Sequence, residues 1–392
     1  MIYLDTASTT AADPEILQKT MEIASEYPGN PSSIHSAGKE AKKILEESRE
    51  KCAEILNCSR DRIFFTSGGT ESNSIVLLSF LRQNSPGNII SSSIEHASIS
   101  GNLKTLASFG WNIKNISPEE NGVIDPQKFK KIIDSTDGIS LVTVMYVNNE
   151  IGSIQPVKEL AEIIREKQKK EGRKIHFHTD MVQAAGKLPL NLDKMGIDSA
   201  SFSAHKLFGP KGSGLLYLKN KNLNPLNTGG GQEKGIRPGT ENISFAYAFS
   251  GVLEKYGTPD EQKRKKIINN TVWLTEQLKK IRGIKLIPET RDSFNHLFVP
   301  GIVSFSVPPV PGEVLARVLD NDGFAVSTGS ACSNNRKGKI SSVLKSIKIP
   351  EKTAAGMIRV SFSTKTERND LELFVESLEK NISVLGKAVG IY

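Results

Sequence analysis

Through its first 220 residues the chain alternates short apolar runs with stretches of helical periodicity, and this alternation limits the folds open to it more than any other feature. The runs are Arg62–Thr66, Asn88–Ser92, Ile139–Val144, Lys174–Thr179, Ser199–Ser203 and Gly214–Leu218. Between them lie candidate helices near 71–83, 97–108, 126–134 and 157–170. The clearest helix precedes them, from about Ser36 to Asn57. Ile34, Ala37, Ala41, Ile44, Leu45, Ser48, Cys52, Ile55 and Leu56 form its apolar stripe at spacings of three and four. Strands that alternate with helices in this way build βαβ units, and hence a mostly parallel sheet with helices on both faces. Sites in such sheets gather beyond the carboxyl ends of the strands.

Past about residue 255 the texture changes to a Lys-rich helix over Asp260–Arg282, short Pro-spaced strands near 283–307, and helices near 312–321 and 367–387. A chain of 392 residues exceeds what one hydrophobic core ordinarily serves. The expected organisation is a large domain over 16–255 and a small α+β domain over 256–392, with residues 1–15 packing on the small one. No apolar run has the length of a membrane span. The opening segment carries Asp5 and no basic stretch, unlike a secretory leader, so the cytoplasm is the expected location. The formal charge of +8 comes from lysines that are dispersed or lie on solvated helix faces such as Ile163–Lys174, and aromatics make up 6% of the chain; direct nucleic-acid binding is not expected. Three cysteines, Cys52, Cys58 and Cys332, cannot form a disulfide framework.

Three segments carry chemistry. Phe65-Thr66-Ser67-Gly68-Gly69-Thr70-Glu71-Ser72-Asn73 puts two glycines and several hydroxyls between a strand and a helix, where exposed amides and the helix dipole suit a phosphate. Its spacing fits neither a Walker loop nor G-x-G-x-x-G, which argues against a nucleotide. A second strand closes on His176-Phe177-His178-Thr179-Asp180-Met181-Val182-Gln183, whose alternation sends His176, His178 and Asp180 to one face. No further residue at ligand spacing completes a metal site, so no metal is expected. The third segment is Ser201-Phe202-Ser203-Ala204-His205-Lys206, followed by Leu207-Phe208-Gly209-Pro210, and puts a lysine at a strand end between rigid turns. A partly desolvated amine there can form a Schiff base with a carbonyl. Each of these segments alone has an ordinary structural reading. Together, a phosphate cradle, a strand-end carboxylate and a strand-end lysine are what pyridoxal 5'-phosphate requires.

At this point the chain resembles the cysteine desulfurases of the NifS/IscS type, within the class V aminotransferase-like, fold type I group. The resemblance spans essentially the whole chain and is carried by an ordered series: YLDTASTT; Gly29-Asn30-Pro31-Ser32-Ser33 with His35; FTSGGTESN; Glu95-His96; Asn148-Asn149-Glu150-Ile151-Gly152; HTDMVQAAGK; SFSAHKLFGPKG; Gly229-Gly230-Gly231-Gln232-Glu233; Arg237-Pro238-Gly239-Thr240; Ser330-Ala331-Cys332-Ser333; and Arg359-Val360-Ser361. It implies that Lys206 carries the coenzyme and shuttles the substrate α-proton, and that His96 stacks on the coenzyme ring. Asp180 would pair with the pyridine nitrogen and Gln183 with the ring oxygen. Gly69, Thr70, Ser203 and His205 would hold the phosphate, joined by Thr240 from a second subunit of a homodimer. Asn149 and Arg359 would clamp the carboxylate of L-cysteine. Cys332, in a polar loop with cations nearby, would take the substrate sulfur as a persulfide, leave alanine, and pass the sulfur to an acceptor protein such as an iron–sulfur scaffold or a tRNA thiolation enzyme.

The sequence departs from the family's pattern in two places. Thr6 follows Asp5 where the family commonly has Asn, and the stretch after Cys332 reads NNRKGK. Arg336, Lys337 and Lys339 there are candidate contacts for an acidic acceptor, against the plainer reading of a solvated turn. The rival readings are a selenocysteine lyase or class V aminotransferase, and a scaffold that binds sulfur-transfer proteins without catalysis.

Overall fold

The computed structural model describes residues 1–83, 85–220, 223–258, 260–291, 296–329 and 340–388. Cys332, Arg336, Lys337 and Lys339 lie outside these residues. In chain order the strands are β1 (Ile2–Tyr3), β2 (Ile63–Thr66), β3 (Asn88–Ser92), β4 (Asn112–Ile116), β5 (Ile139–Thr143), β6 (His176–Asp180), β7 (Ser199–Ser203), β8 (Gly214–Leu218), β9 (Lys285–Ile287), β10 (Ile302–Ser306), β11 (Phe324–Ala325), β12 (Ser327–Thr328) and β13 (Met357–Ser361). The helices are α1 (Pro14–Glu26), α2 (Ser36–Leu56), α3 (Gly69–Leu78), α4 (Ala97–Ser108), α5 (Pro126–Asp134), α6 (Val157–Glu171), α7 (Ile243–Tyr256), α8 (Glu261–Lys280), α9 (Gly312–Asn321), α10 (Ser342–Ser346), α11 (Glu351–Ala355) and α12 (Arg368–Ala388).

Among the described residues, β2 to β8 form one sheet in the order β2-β8-β7-β6-β5-β3-β4. Strands β3 to β7 run parallel, and β8 runs antiparallel to both β7 and β2. β2 therefore points the same way as β7, and β2, β3, β5, β6 and β7 all end on one edge. Apart from the edge strand β4, these strands are buried along nearly their whole length, with Phe64, Phe177, Phe202 and Tyr217 enclosed beside covered polar residues such as His178, Ser199 and Ser201. The second sheet, β12-β13-β10-β9, is antiparallel and shares its own core with α8, α9 and α12.

The expected α/β class and the elements with strong periodicity are present. Ile34 is an exception: it is 90% exposed because α2 starts at Ser36, capped by His35, which leaves Ile34 outside the helical register. The N-terminal segment spans both sheets. Ile2 and Tyr3 pair with Phe324 and Ala325 in a separate two-stranded sheet and the Thr6 amide donates to the Ser361 carbonyl of β13, whereas the Thr10 and Asp13 amides donate to the His205 and Phe208 carbonyls beside the large sheet. Among the described residues, no helix is long and apolar enough to cross a membrane.

Candidate active site

Five strand ends deliver the predicted residues to a single cleft of about 560 Å³. Gly69 and Thr70 arrive after β2, His96 after β3, Asn149 after β5, Asp180 and Gln183 from β6, and Ser203, His205 and Lys206 from β7; all nine line the cleft. Ala7, Ser8 and Thr9 of the N-terminal segment form part of its wall.

α3 begins at Gly69, after a Gly68 that offers no side-chain cap, so no side chain competes for the amides of its first turn. The turn is packed too closely for larger residues. A Cβ on Gly69 would come within 2.5 Å of Val182 Cγ2, and one on Gly214 within 2.3 Å of the Gly68 Cα. Beside it, burial pushes the His205 imidazole down to about 4, helped by the cations of Lys206 and Lys211, so this ring is neutral at neutral pH. Its Nδ1 lies 3.1 Å from Thr9 Oγ1.

Asp180, 4% exposed, is held by its neighbours. Its Oδ1 accepts from the Val182 amide at 3.0 Å and its Oδ2 from Asn73 Nδ2 at 2.9 Å. Asn73 in turn places Oδ1 2.9 Å from His178 Nε2, and Ser199 Oγ lies 2.8 Å from both His178 Nδ1 and His176 Nε2. Burial holds His178 at about 3 and His176 at about 4, so both rings are neutral. Asn73 Oδ1 can only accept, which makes His178 Nε2 the protonated nitrogen and leaves its Nδ1 to accept from Ser199. The histidines thus serve a hydrogen-bond chain that ends on Asp180. Among the described residues no group of side chains could hold a metal.

His96 Nδ1 caps α4, accepting from the Ser98 amide at 3.1 Å with Ser98 Oγ at 2.8 Å, and this fixes the ring at the cleft wall. Next to it in the chain Glu95 is buried. Its Oε1 accepts from Ser92 Oγ and the Met145 amide, each at 2.6 Å, and its Oε2 has no partner. Burial, reinforced by Asp180, raises this carboxyl from 4.5 to about 8. A carboxyl whose value rises on folding contributes stability below 4.5 that fades as pH climbs and is gone above about 8. Glu95→Gln, which keeps the neutral shape, is expected to flatten the fall in melting temperature across roughly pH 5 to 9. Equal slopes for the two proteins would contradict this.

Two expected residues stand apart from the cleft lining. Thr240 is exposed, at the end of a loop tied down by Glu233, whose carboxylate accepts from Arg49 Nη2 and Nη1, end-on, at 2.8 and 2.9 Å and from the Phe65 amide. Arg359, 3% exposed, donates to the Asn149 carbonyl at 2.9 Å, Asp5 Oδ1 at 2.7 Å and Ser8 Oγ at 2.6 Å, while its Nε is unpartnered. An ion pair to Asp5 is thus the contact observed for Arg359. Of the two cysteines described, burial pushes Cys52 far up and Cys58 to about 12, so neither is a ready nucleophile. Sequence reasoning missed the bridging role of Asn73, the bonds of Ser98 to Asn73 and His96, and the wall formed by residues 7–9. Asn73 sits in a quoted motif, but its partners are 105 and 107 residues away.

The class V aminotransferase family model matches residues 2–374, and the chain belongs to that family. Within it, the chain falls in the cysteine desulfurase group. A cysteine desulfurase IscS of Dictyoglomus turgidum is 36% identical over 388 residues, covering 98% of this chain and 95% of that one. Another from Clostridium botulinum is 36% identical over 390 residues, covering 97% and 94%. Among solved structures, a NifS-like protein superimposes with a TM-score of 0.85 at 30% identity over 98% of this chain and 99% of its own. SspA in complex with cysteine does so with 0.78 at 29% identity over 94% of this chain and the whole of that one.

Proposed function

We propose that the chain is a pyridoxal 5'-phosphate-dependent cysteine desulfurase that converts L-cysteine to L-alanine and takes the sulfur onto Cys332 as a persulfide. The observation that carries the reading is the meeting, in one cleft, of an uncapped helix start, a fixed strand-end carboxylate and a strand-end lysine. The residues fit the coenzyme. Asp180 offers an acceptor-only edge to a protonated pyridine nitrogen, the α3 turn with Ser203 and a neutral His205 suits its phosphate, and His96 is braced to stack on its ring. When bound, the coenzyme supplies an electron sink that acidifies the substrate α-carbon and weakens its carbon–sulfur bond.

The chain's own groups do the rest. Lys206 binds the coenzyme, then moves the proton at the substrate α-carbon. Asn149 and Arg359 orient the substrate carboxylate; the bond from Arg359 to the Asn149 carbonyl holds the two together, and Asp5 yields part of its contact as substrate enters. The Cys332 thiolate attacks the substrate sulfur, and the β-carbon keeps the bonding pair and gains a proton. Thr240 reaches the phosphate of a partner subunit in a homodimer, and an acceptor protein such as an iron–sulfur scaffold or a tRNA thiolation enzyme removes the sulfur. The same reading sets two domains, 16–255 and 256–392, in a cytoplasmic protein.

The decisive experiment incubates the protein with L-cysteine, measures alanine and mass-maps added sulfur. Wild type is expected to form alanine with one extra sulfur on Cys332. Cys332→Ala is expected to keep the coenzyme's visible absorbance while sulfur transfer falls by about 10²-fold or more. Undiminished sulfur release from that variant would point to a lyase that works without a loop thiol, as in a selenocysteine lyase.

A further inference from the structure

Glu71 and Arg237 belong to two of the ordered motifs, yet the reaction as described gives neither a role. Glu71 is the third residue of α3 and lines the cleft beside Gly69 and Thr70. Its carboxylate reaches back over the turn: Oε2 accepts from the Ser67 amide, and Oε1 accepts from Arg237 Nε at 3.0 Å. The first bond of the helix runs from the Ser72 amide to the Gly68 carbonyl at 3.1 Å, which leaves the amides of residues 69–71 without a helical partner. A carboxylate thus stands in the very turn that suits the coenzyme phosphate. Burial works against its charge, but the Ser67 amide and Arg237 more than offset that and hold the carboxyl below its ordinary range, so Glu71 is an anion at neutral pH. Like charges a few ångströms apart at a protein surface repel strongly enough to weaken binding by about tenfold. The cation that meets this carboxylate comes from 166 residues further on, in the loop that ends at Thr240 and that Glu233 ties to the Phe65 amide.

We propose that Arg237 is a positioning residue for the coenzyme phosphate: paired with Glu71, it cancels the charge that would oppose the phosphate and keeps that carboxylate on the Ser67 amide. Glu71 shapes the turn, and Arg237 removes the electrostatic cost of having an acid there. The two side chains are 29% and 28% exposed, so the pair adds little to folding stability by itself. Its weight falls on the cleft, where the phosphate brings further negative charge to the same helix start.

The proposal rests on the coenzyme reading, and its test keeps the two apart. In the full chain freed of coenzyme, dissociation constants are measured for pyridoxal 5'-phosphate and for pyridoxal, which has no phosphate. Arg237→Met is expected to weaken binding of pyridoxal 5'-phosphate by about tenfold and to leave that of pyridoxal unchanged. Arg237→Lys, which keeps the charge, should lose less. Adding Glu71→Gln to Arg237→Met leaves an acceptor for the Ser67 amide, removes the opposing charge, and is expected to restore binding. A loss that pyridoxal shares would mark a loosened fold, and one that Glu71→Gln fails to restore would mark a displaced Thr240 loop; either would overturn the proposal. Should Arg237→Met not fold, Arg237→Gln carries the same comparison. Inorganic phosphate gives a readout without the coenzyme: the concentration that produces half of its rise in melting temperature should increase about tenfold in Arg237→Met and return in the double variant. Wild type on which borohydride fixes no coenzyme would sink the functional reading, and the inorganic phosphate comparison would still decide the role of Arg237.

Discussion

Lys206→Ala is expected to lower alanine formation from L-cysteine by about 10³-fold or more, because in the proposed reaction one amine both carries the coenzyme and moves the α-proton. The geometry makes the position hard to replace. The short turn after β7 delivers the side chain to the cleft, and the Ala7 and Ser8 carbonyls hold its nitrogen there. Lys206→Arg keeps the charge and much of the length but cannot form the covalent link, so it should be nearly as inactive. Both variants should lose the visible band that borohydride fixes in wild type, while coenzyme still binds through the α3 turn and Asp180. Alanine production within tenfold of wild type in either variant would show that another group does the chemistry.

The second large effect falls on stability. Arg49 and Glu233 form a buried bidentate pair, with side chains 4% and 2% exposed, and Arg49 Nη1 also donates to the Ile63 carbonyl at 2.7 Å. Burial works against the arginine's charge, yet the Glu233 carboxylate more than offsets it and raises its proton affinity. Arg49→Met leaves a carboxylate buried without its partner and is expected to cost about 3–5 kcal/mol in denaturant unfolding. Replacing both residues with Met should recover much of that loss, since no stranded charge remains. A single variant that loses less than about 1 kcal/mol would show that water reaches the pair. Glu233 also accepts from the Phe65 amide at the root of the α3 turn, and Arg237 of the same loop pairs with Glu71 at 3.0 Å. Loosening this loop should therefore weaken coenzyme binding in the variant even at temperatures where it stays folded.

What could be read from the sequence was whatever repeats with a period or sits in a short motif. The buried strands and α2, α4, α5 and α6 show plainly because each has one apolar face or is apolar throughout. α1 escaped notice because Leu17 and Met21 are 40% and 62% exposed while Thr20 is buried, which blurs its stripe. β4, with the sequence NIKNI, lies at the sheet edge, and its polar residues look like a loop. The site was legible as a set of strand ends because parallel topology brings them to one edge. Its supports were not legible, since the partners of Asn73, Gln183 and Arg359 depend on closure of the whole chain. Arg359 illustrates this: an arginine chosen for a substrate carboxylate is met by Asp5, whose proximity no spacing rule reveals.

The route of residues 2–10 bears on how the molecule is made. Ala7 accepts from Gln183 and Lys206, and its amide donates to Ser361 Oγ at 2.9 Å across 354 residues. Residues 7 and 361 are thus fastened to each other only after a wait of about 20–70 s at ordinary elongation rates. A nascent chain halted before β13 lacks the Ser361 hydroxyl that fastens this wall of the cleft, so competence for catalysis should arrive only once β13 has emerged.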